Sequence, residues 1–192
     1  TNAVQRMARI PLLIASDFER GVGSQIQGAT EFPPLMALGA SSSEEQAYLM
    51  GKITALEGRA LGIHMTYAPV VDVNINPANP IINTRSFGED PQDVSRLSIA
   101  FIKGCQENGL IATAKHFPGH GDTDQDSHSV LPVIRADKPR LNRVELPPFR
   151  EAVKDGVGMV MVAHLLVPAL DPTKPTTFSK KTVTALLREG ME

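Results

Sequence analysis

The sequence predicts an α/β fold of the (β/α)8 TIM-barrel type, with only about half of the barrel present in its 192 residues. Three observations predict it. Four short apolar runs each end in polar residues, stretches of helical periodicity separate the runs, and two of the runs are followed by long loops rich in Gly, Pro and Asp. Continuous rather than alternating apolarity suits parallel strands covered on both faces, and parallel strands need crossover connections, usually helical. The loops after the strands build the functional face of a barrel. A doubly wound sheet shares the alternation, but neither a GxGxxG nor a GKS/T phosphate loop is present to favour it. Residues 1–192 are expected to form one partial barrel, truncated at both ends, because four strand–helix units are visible where closure takes eight.

The first strand is "PLLIASDFE", ending at Asp17 and Glu19. The first helix lies in "SSSEEQAYLMGKITALEGRALG", where Ser42 and Glu45 have capping-box spacing, Leu49, Ile53, Leu56 and Ala60 recur at helical spacing, and Gly62 follows. "IHMTYAPVVDV" is the second strand, ending at Asp72. "EDPQDVSRLSIAFIKGCQENG" is the second helix, with Asp90 as N-cap, Pro91 at the first helical position and Val94, Leu97, Phe101 and Cys105 on one face. "LIATAKH" and "GMVMVAH" are the third and fourth strands, ending at Lys115 with His116 and at His164. "LPPFREAVKDG" and "SKKTVTALLREG" supply the remaining helices, opened by Pro147 or Pro148 and by Ser179, and followed by Gly156 and Gly190. The strand ends Asp17, Asp72, His116 and His164 lie 55, 44 and 48 residues apart, long for a βα unit. The excess falls in "NINPANPIINTRSFGED" and "FPGHGDTDQDSHSVLPVIRAD", and loops of such length in compact domains are usually functional.

Composition narrows the partners. A net charge of −2 and no basic run longer than two residues leave no electrostatic footprint for nucleic acid or an anionic membrane. The most apolar run, "VGMVMVAHLLVPAL", is interrupted by His164 and is too short to span a bilayer. The single cysteine, Cys105, excludes an internal disulfide and any CxxC zinc site, and its helical setting marks it as a small buried residue. A small or neutral ligand is the expected partner. The first residue is not Met, so the N-terminus carries no information on localisation, and cytoplasmic and exported settings both stay open.

The stretch from Lys115 to Pro132 gathers three histidines and three aspartates around glycines. Three uses compete for it. A metal could take His116, His120 and His128 with Asp122, Asp124 or Asp126, yet the spacing matches neither HExxH nor an EF-hand loop. A turn-rich loop could use its aspartates in Asx-turns. An acid/base unit could use "DSH": in an extended segment Asp126 and His128 point to one side, so the carboxylate supports the imidazole. Free imidazole titrates near about 6.5, so a histidine gives and takes protons around neutrality. Asp17, Arg85, Lys115 and His116 add fixed donors and acceptors of the kind that grip sugar hydroxyls.

"KHFPGHGDTDQDSHSVLPVI", "FPPLMALGAS", "APVVDVN" and "RSFGEDP" resemble glycoside hydrolase family 3, in its β-N-acetylglucosaminidase branch, which trims bacterial cell-wall fragments. The resemblance runs from about Pro11 to Glu189 in the family's order. It implies a catalytic (β/α) barrel that hydrolyses terminal β-linked N-acetylglucosamine from short saccharides or muropeptides, retaining through a covalent glycosyl-enzyme, with no cofactor and no metal. Carried over by position, it makes His128 the general acid/base and Asp126 its partner, with Asp17, Arg85, Lys115 and His116 binding the sugar. "DFERGVGSQ" places Gln25 where an arginine commonly contacts substrate. The family's aspartate nucleophile ends a further strand, so it is expected beyond the C-terminus, and the chain alone is expected to be inactive. Two alternatives stay open: a β-N-acetylglucosaminide phosphorylase, since a neutral histidine repels phosphate less than a carboxylate does, and a non-catalytic carbohydrate-binding fragment.

Overall fold

The structure is a computed structural model, described for residues 1–191. Four parallel strands run in sequence order. β1 (Ala15–Ser16) pairs with β2 (Met65–Thr66), and β3 (Thr113–Phe117) pairs with β4 (Met159–Val162). Parallel bridges from Met65 to Ile111 and from Val70 to Lys115 join the two pairs. The order 1-2-3-4 contains no reversal, whereas a doubly wound sheet turns back at a switch point. This is the strand order of a barrel wall. The expected strands are mostly longer than the regular ladders: "IHMTYAPVVDV" is almost wholly buried, yet only Met65–Thr66 forms a ladder before the cis Ala68–Pro69 bond. A proline has no N–H to donate there.

The central strands are enclosed and the outer ones are not. β2 is buried and β3 nearly so, while β1 is half-buried and β4 runs from the exposed Met159 to half-buried valines. Short helices α1 (Asn2–Met7) and α2 (Leu35–Ser41) flank β1 in the chain, and α3 (Glu44–Ala60) and α4 (Pro91–Gln106) are the two long crossovers. α5 (Lys138–Arg143) and α6 (Pro147–Lys154) precede β4, and a π-type helix covers Lys181–Arg188. The expected series had a single helix in each of these connections; α2 and α5 are additions.

α4 forms as its sequence dictates. Asp90 accepts from the Gln92 and Asp93 amides, Pro91 opens the helix, and Val94, Leu97, Phe101 and Cys105 are buried. Burial also raises the Cys105 thiol pKa far above its usual range. α3 departs from expectation twice. Its N-cap is Ser43, whose Oγ accepts from the Gln46 amide at 3.2 Å, whereas Ser42 adopts φ 50° at the end of α2. Its buried face is Ala47, Met50, Gly51, Thr54, Ala55 and Gly58, while Leu49 and Leu56 are exposed. The reason is close helix packing. A Cβ on Gly51 would collide with the Phe101 carbonyl of α4, and one on Gly104 with the Tyr48 carbonyl of α3. Small residues therefore face α4, and the large apolar ones are left outside. The last helix is capped as expected, with Ser179 Oγ accepting from the Thr182 amide at 3.2 Å.

Candidate functional site

A cleft of about 700 Å³ opens at the C-terminal ends of the four strands. Asp17 follows β1, Lys115 and His116 lie in β3, His164 follows β4, and Arg85 comes from the loop after β2. His128 reaches the same cleft from the loop after β3. Five of the six residues named from sequence therefore line one cavity, and the sixth, Asp126, is bonded to His128.

One wall is a charge cluster built on Glu19. Arg85 grips it bidentately, with Nε donating to Oε2 at 2.8 Å and Nη2 to Oε1 at 2.7 Å. The buried Lys115 ammonium lies 2.6 Å from Glu19 Oε1 and 3.0 Å from Asp17 Oδ1. Burial opposes ionisation of Glu19, but the Arg85 hydrogen bonds and the two cationic charges outweigh it and lower its pKa to about 2. Paired charges are the form in which buried ions persist. Asp17 is half-exposed and lines the cleft.

Asp72 supports the next stretch of wall. Its carboxylate is fully buried and accepts the His116 amide at 3.2 Å, the His120 amide at 2.7 Å and His116 Nδ1 at 2.7 Å. Burial pushes its pKa up, and the His116 charge and these hydrogen bonds reverse the direction to a net lowering. An ionised carboxylate only accepts, so His116 Nδ1 carries hydrogen and Nε2 is the ring nitrogen left for a ligand.

The Asp126–His128 pair has the same orientation in a different backbone. Asp126 Oδ1 accepts both His128 N–H at 2.9 Å and His128 Nδ1 at 2.7 Å, while Asp126 O accepts the Ser129 and Val130 amides. The expected extended segment is thus a turn: the aspartate caps its own loop, which folds the imidazole back onto the carboxylate. The Asx-turn and the acid/base pair are one structure. The hydrogen bonds from the His128 amide and ring lower the Asp126 pKa, so it stays a carboxylate at neutral pH. His128 presents its free Nε2 and is well exposed.

Asp122 and His120 of the loop are engaged elsewhere, and Asp124 is exposed. Asp122 pairs with Arg140 at 2.8 Å, and His120 is buried against Ser127. Among the described residues, no group of three or more His, Cys, Asp or Glu side chains is placed to hold a metal ion. Sequence reasoning left Glu19, Asp72 and His164 without site roles. His164 lines the cleft with Nδ1 2.8 Å from Thr177 Oγ1. The available signal was position at a strand end, which all three share with residues that were named. Gln25 lines the cleft beside Arg20.

The whole chain, residues 1–192, matches the glycosyl hydrolase family 3 N-terminal domain. The chain belongs to glycoside hydrolase family 3. Within the family it is 40% identical to a β-hexosaminidase A of Pseudoalteromonas piscicida, over 100% of this chain and 36% of that protein. A solved β-N-acetylglucosaminidase from a Paenibacillus strain superposes with a TM-score of 0.95 at 46% identity, over 98% of this chain and 37% of that one. A structure of a β-glucoside phosphorylase bound to 2FGlc superposes with a TM-score of 0.93 at 32% identity, over 98% of this chain and 36% of that one. The chain spans little more than a third of the length of these relatives. With the family shown, the partial-barrel reading of the fold holds: the four parallel strands are a segment of a (β/α) barrel wall.

Proposed function

We propose that this chain supplies the sugar-binding wall and the proton shuttle of a β-N-acetylglucosaminidase that releases terminal non-reducing β-linked N-acetylglucosamine from short saccharides or muropeptides. The observation that carries the proposal is the Asp126–His128 pair, at 2.7 Å, beside a cleft whose opposite groups are ion-paired. Lys115 and Arg85 are held by carboxylates and His116 by Asp72, so their remaining donors and lone pairs are fixed in direction. Fixed polar groups bind hydroxyls without a large ordering cost. The names of the two most similar relatives above, β-hexosaminidase and β-N-acetylglucosaminidase, support the substrate class.

In the proposed mechanism His128, in its protonated form, donates from Nε2 to the glycosidic oxygen as the bond breaks, and Asp126 stabilises and orients the ring. A carboxylate on the other face of the sugar forms a covalent glycosyl-enzyme. His128 then takes a proton from water as water displaces that carboxylate, with retention. Glu19 is fully engaged by Arg85 and Lys115, and Asp122 by Arg140, so neither is free to attack. We assign the nucleophile to an aspartate outside residues 1–192.

A second reading rests on the phosphorylase relative, because a neutral imidazole base leaves room for phosphate in the second step. Product analysis separates the two. The full-length protein, incubated with an aryl β-N-acetylglucosaminide, is expected to release free N-acetylglucosamine at the same rate with and without inorganic phosphate. A sugar 1-phosphate as the main product would replace hydrolysis by phosphorolysis, and no release under either condition would remove the catalytic proposal.

A further inference from the structure

Between its two roots, the segment that carries Asp126 and His128 is hydrogen-bonded to the rest of the molecule at one point among the described residues, with Thr123 buried near the first root. Its roots are fixed: Gly121 O accepts the Asn76 amide at 3.2 Å, Asp122 pairs with Arg140 at 2.8 Å, and Pro132 O accepts the Leu166 amide at 2.9 Å. Between those roots, the hydrogen bonds and ion pairs of residues 123–131 close within the segment, with a single exception among the described residues. The exception is Ser127, whose Oγ lies 2.9 Å from His120 Nε2. Ser127 stands between the two members of the pair. His128 and Asp126 are 77% and 39% exposed at their side chains, so packing does little to hold them.

His120 is suited to be the fixed end. It is 2% exposed, its N–H donates to Asp72 Oδ1 at 2.7 Å, and its carbonyl accepts Asn79 Nδ2 at 2.8 Å. Its ring meets that of His116 edge-on, with centroids 6.0 Å apart. Among the described residues its buried Nδ1 has no hydrogen-bond partner and the Ser127 contact is the only hydrogen bond of the ring. Burial lowers its pKa against the pull of Asp72, which keeps the ring neutral near pH 7. A neutral imidazole and a hydroxyl can bond in either tautomer.

We propose that His120 is a positioning residue for the acid/base: through Ser127 it fixes the loop so that His128 faces the cleft, and through Asp72 it sets that position relative to His116. The inference rests on the proposed role of His128. Proton transfer needs its donor within hydrogen-bond reach of the leaving oxygen, and an exposed loop with one tether loses that placement when the tether is cut.

The test uses the full-length protein and two substrates, an alkyl N-acetylglucosaminide with a poor leaving group and a nitrophenyl one that departs with little protonation. Ser127→Ala is expected to lower kcat/KM on the first about tenfold, the rate equivalent of one lost positioning hydrogen bond, and on the second less than about twofold. Ser127→Thr, which keeps the hydroxyl, restores the rate, and His120→Gln, whose amide can reach Oγ, retains most of it. His120→Leu reproduces the Ser127→Ala pattern in folded protein, checked by thermal melting. In a His128→Ala background, Ser127→Ala causes no further loss. Equal losses on both substrates, wild-type rates in Ser127→Ala, or a further loss without His128 each overturn the proposal. His128→Ala alone serves as the control: if its loss shows no leaving-group dependence, the acid/base assignment itself fails, and the tether has no such role.

Discussion

Replacing His128 with Ala in the full-length protein is expected to lower turnover of an unactivated N-acetylglucosaminide by about 10²–10⁴-fold, the usual range for loss of a general acid/base. The effect should shrink for aryl leaving groups in the first step, since a stable leaving anion needs no proton. Asp126→Asn should reproduce part of the loss. Asp126 is held ionised by the His128 amide and ring, so its replacement removes a negative charge 2.7 Å from Nδ1. The leaving-group series decides the matter, because damage to folding would lower both substrate classes alike.

Glu19→Gln is the second large effect. Its pKa falls from 4.5 to about 2, which corresponds to about 3 kcal/mol of folding stability at neutral pH. The group is depressed on folding, so its contribution is fully present above about pH 4.5 and disappears as the pH falls toward 2. Urea midpoints of wild type and Glu19→Gln should therefore differ widely at pH 7, draw closer at pH 3 and converge only near pH 2. Activity should fall as well, because Arg85 and the buried Lys115 lose the carboxylate that aims them. Equal midpoints at pH 7 would mean that the cluster adds nothing to stability.

Much of this architecture was legible in the sequence because local signals and tertiary packing agree. In α4, Asp90 caps, Pro91 opens, and the large apolar residues are the buried ones. The strand ends likewise put Asp17, Lys115 and His116 on one face, and a two-residue spacing put Asp126 beside His128. α3 was misread because size was taken for burial. Gly51 and Gly104 let two helix backbones touch, and a contact made of absent side chains has no hydrophobic signature. Asp72 and Glu19 were undervalued for a related reason: a carboxylate acquires its role from partners 44 and 66 residues away, His116 and Arg85. The Asx-turn was read only as a rival to the acid/base pair, because a run that alternates polar residues fits a turn and a strand equally, whereas the turn is what folds His128 onto Asp126.

The central claim is that this chain holds the proton shuttle while a carboxylate outside it holds the sugar. Mass spectrometry of the trapped intermediate tests it most directly. In full-length His128→Ala, supplied with a dinitrophenyl N-acetylglucosaminide, the first step proceeds without an acid and the second lacks its base, so the covalent glycosyl-enzyme should accumulate. Peptide mapping is predicted to find the sugar on an aspartate outside residues 1–192. Attachment to Asp17, Glu19, Asp122 or Asp124, or the absence of any adduct while turnover continues, would contradict it.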